Sequence, residues 1–374
     1  MAKNELYEEH LQEMFGMNLI DNYSDEEIDR VFDRLLQCLP NHGKLYKYRS
    51  MEGQAFNYAY DGLEKGYIYL ARANTLNDDM DCTLIFDPEK MAHEMAEDFS
   101  QRPWFYLDNW VKVNADQLKL DAPIDIQVYQ NVMSCVDRET WEINQDKAIE
   151  QLLKFGITRQ QAEDIIGALL KFIQDKIEEH KEAIIKPISS LVNFNAINKQ
   201  DICVFSMSEL FDSNAMWGLY ANSNNGFCIE YDFQKALHLP KAIKRLLINT
   251  YKVIYKDELD EYSFRSMTEF YISGQKDTEL MRKANMEYLM NLITKTSEWS
   301  SENEWRILLY ALDDNNKIFA DIVSGIIIDE RALDSDNAKN LIKLSNARGW
   351  NIRVRRKNKL GTKHIYEALN TEVQ

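Results

Sequence analysis

From about residue 100 to 198 glycine nearly vanishes, with only Gly156 and Gly167 in the span, and charged residues interleave with apolar ones. A stretch with that pattern folds as helix. Thr158 and Gln161 can cap a helix whose apolar positions Ile166, Leu170, Ile173 and Ile177 recur close to a heptad seam. That segment is predicted to end near Pro187. On both sides of it the period changes to two. "KLYKYRS" and "YIYLA" precede it, and "DICVFSMS", "GFCIEYDF", "YKVIYKD", "SGIIID" and "NIRVRR" follow. Any sheet must therefore be assembled from strands lying on either side of a helical insertion.

The expected fold is α+β, with a mixed or antiparallel sheet core and flanking helices. Its parts are an N-terminal helical segment at 1–43, a first piece of the core at 44–100, the helical insertion at 101–198, and the rest of the core at 199–374. Helices are predicted around 53–64, across about 262–295 and around 335–348. In "YSDEEIDRVFDRLLQCL", Ser24 and Glu27 fit a capping box, and Ile28, Phe32, Leu35 and Leu36 form one apolar stripe.

Charge narrows the class of partner. Lys+Arg is 44 and Asp+Glu is 61, a formal charge of -17. That balance argues against a protein that coats duplex nucleic acid by neutralising phosphates, while leaving room for a local basic pocket and a small nucleotide ligand. The cysteines, Cys38, Cys82, Cys135, Cys203 and Cys228, are odd in number and never in CxxC spacing, as expected of reduced thiols in the cytoplasm. No signal peptide or membrane-length apolar run is visible. There is no GxGxxG, no GxxxxGK[ST], no GxSxG and no HxxxH, so no metal site is expected from histidine spacing.

The stretch "SSENEWRILL" holds the sharpest question. Read as a strand, it puts Glu302, Glu304 and Arg306 on one face, with Asn303, Trp305 and Ile307 on the other. A face of two carboxylates and a guanidinium is either a salt-bridged wet surface or a site. Arg49 ends "LYKYR", with Tyr46 and Tyr48 on the opposite face. A guanidinium there can grip phosphate through two bonds, or serve as a snorkelling surface arginine. "NDDMD", with Asn77, Asp78, Asp79 and Asp81, fits turn chemistry better than a cation site. In "FSMSELFDSNAMWGLYA", Asp212 or Ser213 can cap a short helix on which Met216 and Trp217 reach Tyr220. Such an aromatic pair either stacks a flat heterocycle or anchors the core.

Taken in order, "LYKYRS", "LNDDMD", "FSMS…NAMWGLYANSNNGFCIEYDF", "VIYKD" and "KTSEWSSENEWRILL" resemble a bacterial family of unknown function, DUF2971. The match covers about 44–90 and 201–330. Asp79–Met80 stands where the family has Pro–Phe. The resemblance implies a bacterial cytoplasmic protein, with some members tied to phage defence, and names no activity. A second resemblance concerns motif order alone. An arginine strand, a serine strand and a Glu-x-Glu strand are similar to those of ADP-ribosyltransferases. It implies NAD as substrate, Arg49 beside Tyr48 as the phosphate ligand, and Ser206 or Ser208 as ribose support. It further implies Trp217 or Tyr220 as stacking platform, Glu304 as catalytic carboxylate and Glu302 orienting a protein acceptor, and Arg306, on the same strand face, can offset the repulsion between the two carboxylates.

Two other readings stand beside this one. A metal-dependent nuclease or phosphohydrolase would need Asp78, Asp81 and Glu230 to converge on Mg²⁺. A non-catalytic scaffold would use the helical insertion to bind a partner or a second copy of the chain.

Overall fold

The computed structural model describes residues 2–16, 24–87, 126–138, 140–189, 194–263, 278–310 and 316–369, together with 90, 94, 97, 100–108 and 265–266. The chain forms two compact units. One comprises Met1–Thr83, Ala196–Leu259 and Met290–Gln374; the other comprises Leu84–Asn195 and Asp260–Leu289.

The first unit is α+β. Its strands are β1 (Lys44–Ser50), β2 (Ile68–Tyr69), β3 (Ala71–Arg72), β4 (Ile202–Ser208), β5 (Gly226–Asp232), β6 (Thr250–Lys252), β7 (Ile254–Lys256), β8 (Thr294–Thr296), β9 (Glu304–Tyr310), β10 (Lys317–Ile318), β11 (Val323–Asp329), β12 (Asn351–Lys357) and β13 (His364–Ala368). Among the described residues, nine of them make one mixed sheet in the order β13-β12-β11-β5-β1-β4-β9-β6, with β3 added against β4. Within it the β11–β12 pair is parallel and the others are antiparallel. The parallel step needs a crossover, which the helix Asp336–Arg348 supplies, capped by Ser335 and ended by Gly349 in the left-handed region.

Central strands β4, β5 and β9 are buried along nearly their whole length, so both sheet faces are covered. The helix Asp25–Cys38 supplies part of that cover. Ser24 and Glu27 form the expected reciprocal cap, and Ile28, Phe32 and Leu35 are fully buried.

Two stretches that alternate like single strands divide between sheets. "YIYLA" breaks at Leu70, whose N–H donates to the Asn316 carbonyl, so β2 joins β10 while β3 joins β4. "YKVIYKD" breaks at Val253, so β6 joins β9 and β7 joins β8. Of the helix expected across 262–295, Thr278–Leu292 forms, whereas Tyr262 and Ser263 are not helical and Thr294 and Lys295 already belong to β8; residues 264 and 267–277 lie outside the described residues.

The second unit is helical where described, with helices Ile126–Met133, Gln145–Leu153 and Arg159–Ser189, the last running past Pro187. Thr158 and Gln161 cap the long helix reciprocally. Its Ile166 and Ile173 pack with Phe105, Val132 and Leu152; the Ile177 side chain lies outside the described residues.

One irregularity of the sheet positions everything that follows. β1 pairs with β5 along seven residues, from Lys44↔Asp232 to Ser50↔Gly226, but meets β4 only at Tyr46↔Ser208. On the same edge of β4, β3 pairs at Val204 and Cys203. Between these two contacts no strand among the described residues lies against the edge of β4, and a cleft opens there.

Gly226 keeps β1 in place beside that opening. A Cβ at Gly226 would lie 2.3 Å from the Arg49 carbonyl oxygen and 2.9 Å from Ala221, both backbone contacts that cannot swing aside. Gly226→Ala is expected to lower unfolding stability by ~3 kcal/mol, as overpacking against backbone does. Gly167→Ala, on an open stretch of helix with nothing within 4 Å, should instead be neutral or gain ~0.5–1 kcal/mol. Urea midpoints of the two variants check this.

Candidate functional site

The cleft between β1 and β4 has a volume of about 210 Å³. From β1 it is lined by Tyr46, Lys47, Tyr48 and Arg49, and from β4 by Val204 to Ser208. Asn77, Asp81, Met216, Tyr220, Lys295, Glu302 and Glu304 complete the wall.

Its floor is a buried network of charges. Arg306 is fully buried and reaches Asp81 through two nitrogens, at 2.7 and 3.3 Å. Its Nε donates to Glu304 Oε1 at 2.9 Å, and Nη1 donates to the Leu292 carbonyl at 3.1 Å. Lys295 sits among three carboxylates: Glu302 at 2.9 Å, Glu304 at 3.2 Å and Asp81 at 3.4 Å. Tyr220 Oη donates to the other oxygen of Glu302. Tyr255 Oη accepts from the Glu304 N–H at 2.9 Å.

Burial alone would make both glutamates hold their protons. For Glu304 that effect is outweighed by Arg306 and Lys295, with a smaller contribution from the Ser206 side chain, and its carboxyl is held down at about 2. For Glu302 burial wins over Lys295 and Tyr220, and its pKa is raised. Two carboxylates two residues apart thus have unequal proton affinities, the pattern that separates acid from base roles. Lys295 and Arg306 are shifted upward, because their carboxylate partners outweigh the burial that opposes their charge. Structural ion pairs produce such shifts too, so the cleft around them matters to the functional reading.

On the opposite wall Arg49 lines the cleft, and among the described residues no carboxylate lies within ion-pair distance of it. Burial pushes its pKa down. A guanidinium without a counter-ion, facing a cleft, is a ready anion site.

The structure gathers Arg49, Ser206, Tyr220, Glu302 and Glu304 around one cleft, and it corrects other expectations. Glu302 is not on the strand. Ser297–Glu302 is a 3₁₀ turn, Asn303 adopts a left-handed φ of 44°, and β9 begins at Glu304. Nor is the face wet, for Glu302, Glu304 and Arg306 are all buried. Arg306 does not line the cleft; it lies beneath, clamping Asp81 and Glu304. Trp217 is fully buried, donates from Nε1 to the Phe211 carbonyl at 2.9 Å, and packs edge-on against Tyr48. It is core, not a stacking platform. Tyr48 is likewise fixed, its hydroxyl donating to the Leu210 carbonyl at 2.7 Å. Ser208 is fully buried and spends its hydroxyl on the Glu302 carbonyl at 2.6 Å, so it positions the turn that carries Glu302.

The carboxylates of the metal reading do not converge. Glu230 is held by Lys44, Ser324 and Arg353 at 2.7 to 2.8 Å and lines a different pocket. Asp78 caps its own turn by accepting from the Met80 N–H at 2.9 Å. Among the described residues no cluster of three such side chains could hold a metal ion. Around Asp81, Glu302 and Glu304 the central position belongs to the Lys295 ammonium.

The cleft's lower wall coincides with a known family segment. Residues 216–307 match the model described as protein of unknown function, DUF2971. That stretch is similar to the DUF2971 family. It contains Tyr220, Lys295, Glu302, Glu304 and Arg306, whereas Lys47, Arg49 and Asp81 come from elsewhere in the chain. Neither the curated proteins nor the solved structures gave a match. Lys295 and Lys47 were missed as site residues. Lys295 stood in the quoted "KTSEWSSENEWRILL" motif of that stretch, where a lysine at the centre of a short alternating strand was the available signal.

Glu304 has a definite effect on acid stability. Its folded pKa lies below the unfolded value of ~4.3, so the stability it contributes is complete above that value and lost as pH falls toward about 2. Glu302 has the opposite sign, giving stability when protonated and losing it as pH rises. Between about pH 5 and pH 2 the wild-type urea midpoint should fall more steeply than that of Glu304→Gln, which lacks this proton linkage. Arg306→Leu, which leaves the three buried carboxylates Asp81, Glu302 and Glu304 to share the Lys295 ammonium, is expected to cost ~3–5 kcal/mol in the same assay at neutral pH.

Proposed function

We propose that the cleft binds NAD and breaks its nicotinamide–ribose bond, passing ADP-ribose to a protein acceptor or to water. The observation that carries this reading is the joining, around one cleft, of a guanidinium with no counter-ion among the described residues, Arg49, to two glutamates of unequal proton affinity. NAD presents the matching chemistry: a pyrophosphate for Arg49 and a ribosyl carbon that becomes cationic as nicotinamide leaves.

The bond from ribose C1′ to the nicotinamide nitrogen breaks with its electron pair going to nicotinamide. Glu304, ionised throughout the neutral range, stabilises the oxocarbenium charge that develops on the ribose in the transition state. The acceptor's nucleophilic atom then bonds to C1′, and Glu302, with its raised proton affinity, takes the acceptor's proton. Lys295 and Tyr220 hold Glu302 in place, and Arg306 holds Glu304. Ser206 stands on the β4 wall where ribose hydroxyls would lie.

One observation favours a binding role without turnover: both Glu304 oxygens are already engaged, one by Arg306 and one by Lys295. The assay separates the two readings. Purified protein should release nicotinamide from NAD, with host-cell lysate supplying an acceptor and intact mass read at the end. Glu304→Gln is expected to lower kcat about 10²–10³-fold. Arg49→Ala should raise KM about tenfold to a hundredfold, as loss of a charged hydrogen bond does. NAD binding by calorimetry without release in buffer or lysate would favour the non-catalytic role. Neither binding nor release would end the NAD reading.

A further inference from the structure

The same cleft holds a second lysine whose surroundings are the reverse of those around Lys295. Lys47 lies on β1, two residues before Arg49 and on the same side of the strand. Continuing the single β1–β4 pair, Tyr46↔Ser208, would set Tyr48 opposite Ser206. The strands part instead, and the Lys47 side chain crosses the opening, its amine donating to the Ser206 carbonyl. The amine sits 4.2 Å from the centre of the Phe205 ring. Among the described residues no carboxylate is within ion-pair distance of it. Lys295, by contrast, touches three.

We infer that Lys47 is a nucleophilic lysine, whose amine condenses with the carbonyl carbon of a phosphorylated aldehyde or ketone anchored by Arg49. The inference goes beyond the NAD reading and does not depend on it. Burial and the neighbouring Arg49 both disfavour the ammonium form, and they outweigh the pull of Glu304 and Glu302, so the amine is neutral far below the usual lysine range. One hydrogen goes to the Ser206 carbonyl, which orients the nitrogen while its lone pair is free to attack. Glu302, on the same cleft and with raised proton affinity, supplies the acid that the dehydration step needs.

The step balances without an added reagent. The Lys47 nitrogen bonds to the carbonyl carbon to give a carbinolamine. The carbon–oxygen bond then breaks, and the oxygen leaves as water with the two amine hydrogens, leaving a C=N bond. A phosphate on the same molecule sits against Arg49, where among the described residues no carboxylate competes for it.

Pyridoxal 5′-phosphate, which joins an aldehyde to a phosphate, is the probe. Wild-type protein is incubated with it, reduced with borohydride, digested and mapped by peptide mass. Hydride adds to the imine carbon and fixes the adduct as a secondary amine. Lys47 is expected to be modified first, ahead of the exposed lysines, with a pH profile still active below the range in which those lysines react. Arg49→Ala, inorganic phosphate, or pyridoxal without its phosphate should each slow modification at Lys47 about tenfold or more and leave the exposed lysines unchanged. Modification of exposed lysines with Lys47 untouched would overturn the inference. Modification of Lys47 that none of the three changes affects would overturn the phosphate anchor. No NAD is present, so either result stands apart from the nicotinamide assay. Slowing by added NAD would place both chemistries in one cleft.

Discussion

The buried contact among Arg306, Lys295, Asp81, Glu302 and Glu304 is the constraint on which the rest of the site depends. Five ionisable side chains out of water would be prohibitive singly, since each ion loses several kcal/mol of hydration. They are tolerable together because every carboxylate meets a cation within 3.4 Å. The contact also joins pieces of chain far apart in sequence: the Asn77–Asp81 turn, strand β8, the 3₁₀ turn before β9, and β9 itself. Removing either cation leaves buried carboxylates with too few partners and no solvent to receive their charge, so these segments hold one geometry.

That rigidity explains how the two glutamates diverge. Three carboxylates face two cations, an excess of one negative charge in a dry region. Glu304, touched by both cations, keeps its charge, while Glu302, the last residue of the 3₁₀ turn, gains proton affinity because its burial outweighs its one cation, Lys295. On the other side of the cleft, among the described residues, no carboxylate lies within ion-pair distance of Lys47 or Arg49. The cleft therefore has an anionic floor bound to its own cations and a wall on which Arg49 is the charge a ligand's anion would meet.

Much of the architecture was legible because it is local. The caps at Ser24 and Thr158, the helix after Ser335, and the alternation of β1, β4, β5, β11 and β12 are set by neighbours a few residues away. The strand β13 was missed, and "YIYLA" and "YKVIYKD" were read as single strands although each divides between two sheets. Alternation reports which side chains share a face and says nothing of which partner strand lies alongside. Trp217 illustrates the same limit. Its spacing to Tyr220 suited both stacking and core packing, and the arrival of Tyr48 and Arg355 from distant strands decided for the core.

By itself the sequence determined the α+β class, the helix caps and the identity of the residues that bear charge near the cleft. It placed Arg49, Ser206, Tyr220, Glu302 and Glu304 in one ordered set of motifs. Only the tertiary structure decided which of those charges are spent on one another and which face open space. Proton affinity and ion pairing depend on how densely distant parts of the chain crowd each group and exclude water, and that density exists only once β1 and β4 have been brought together and held apart.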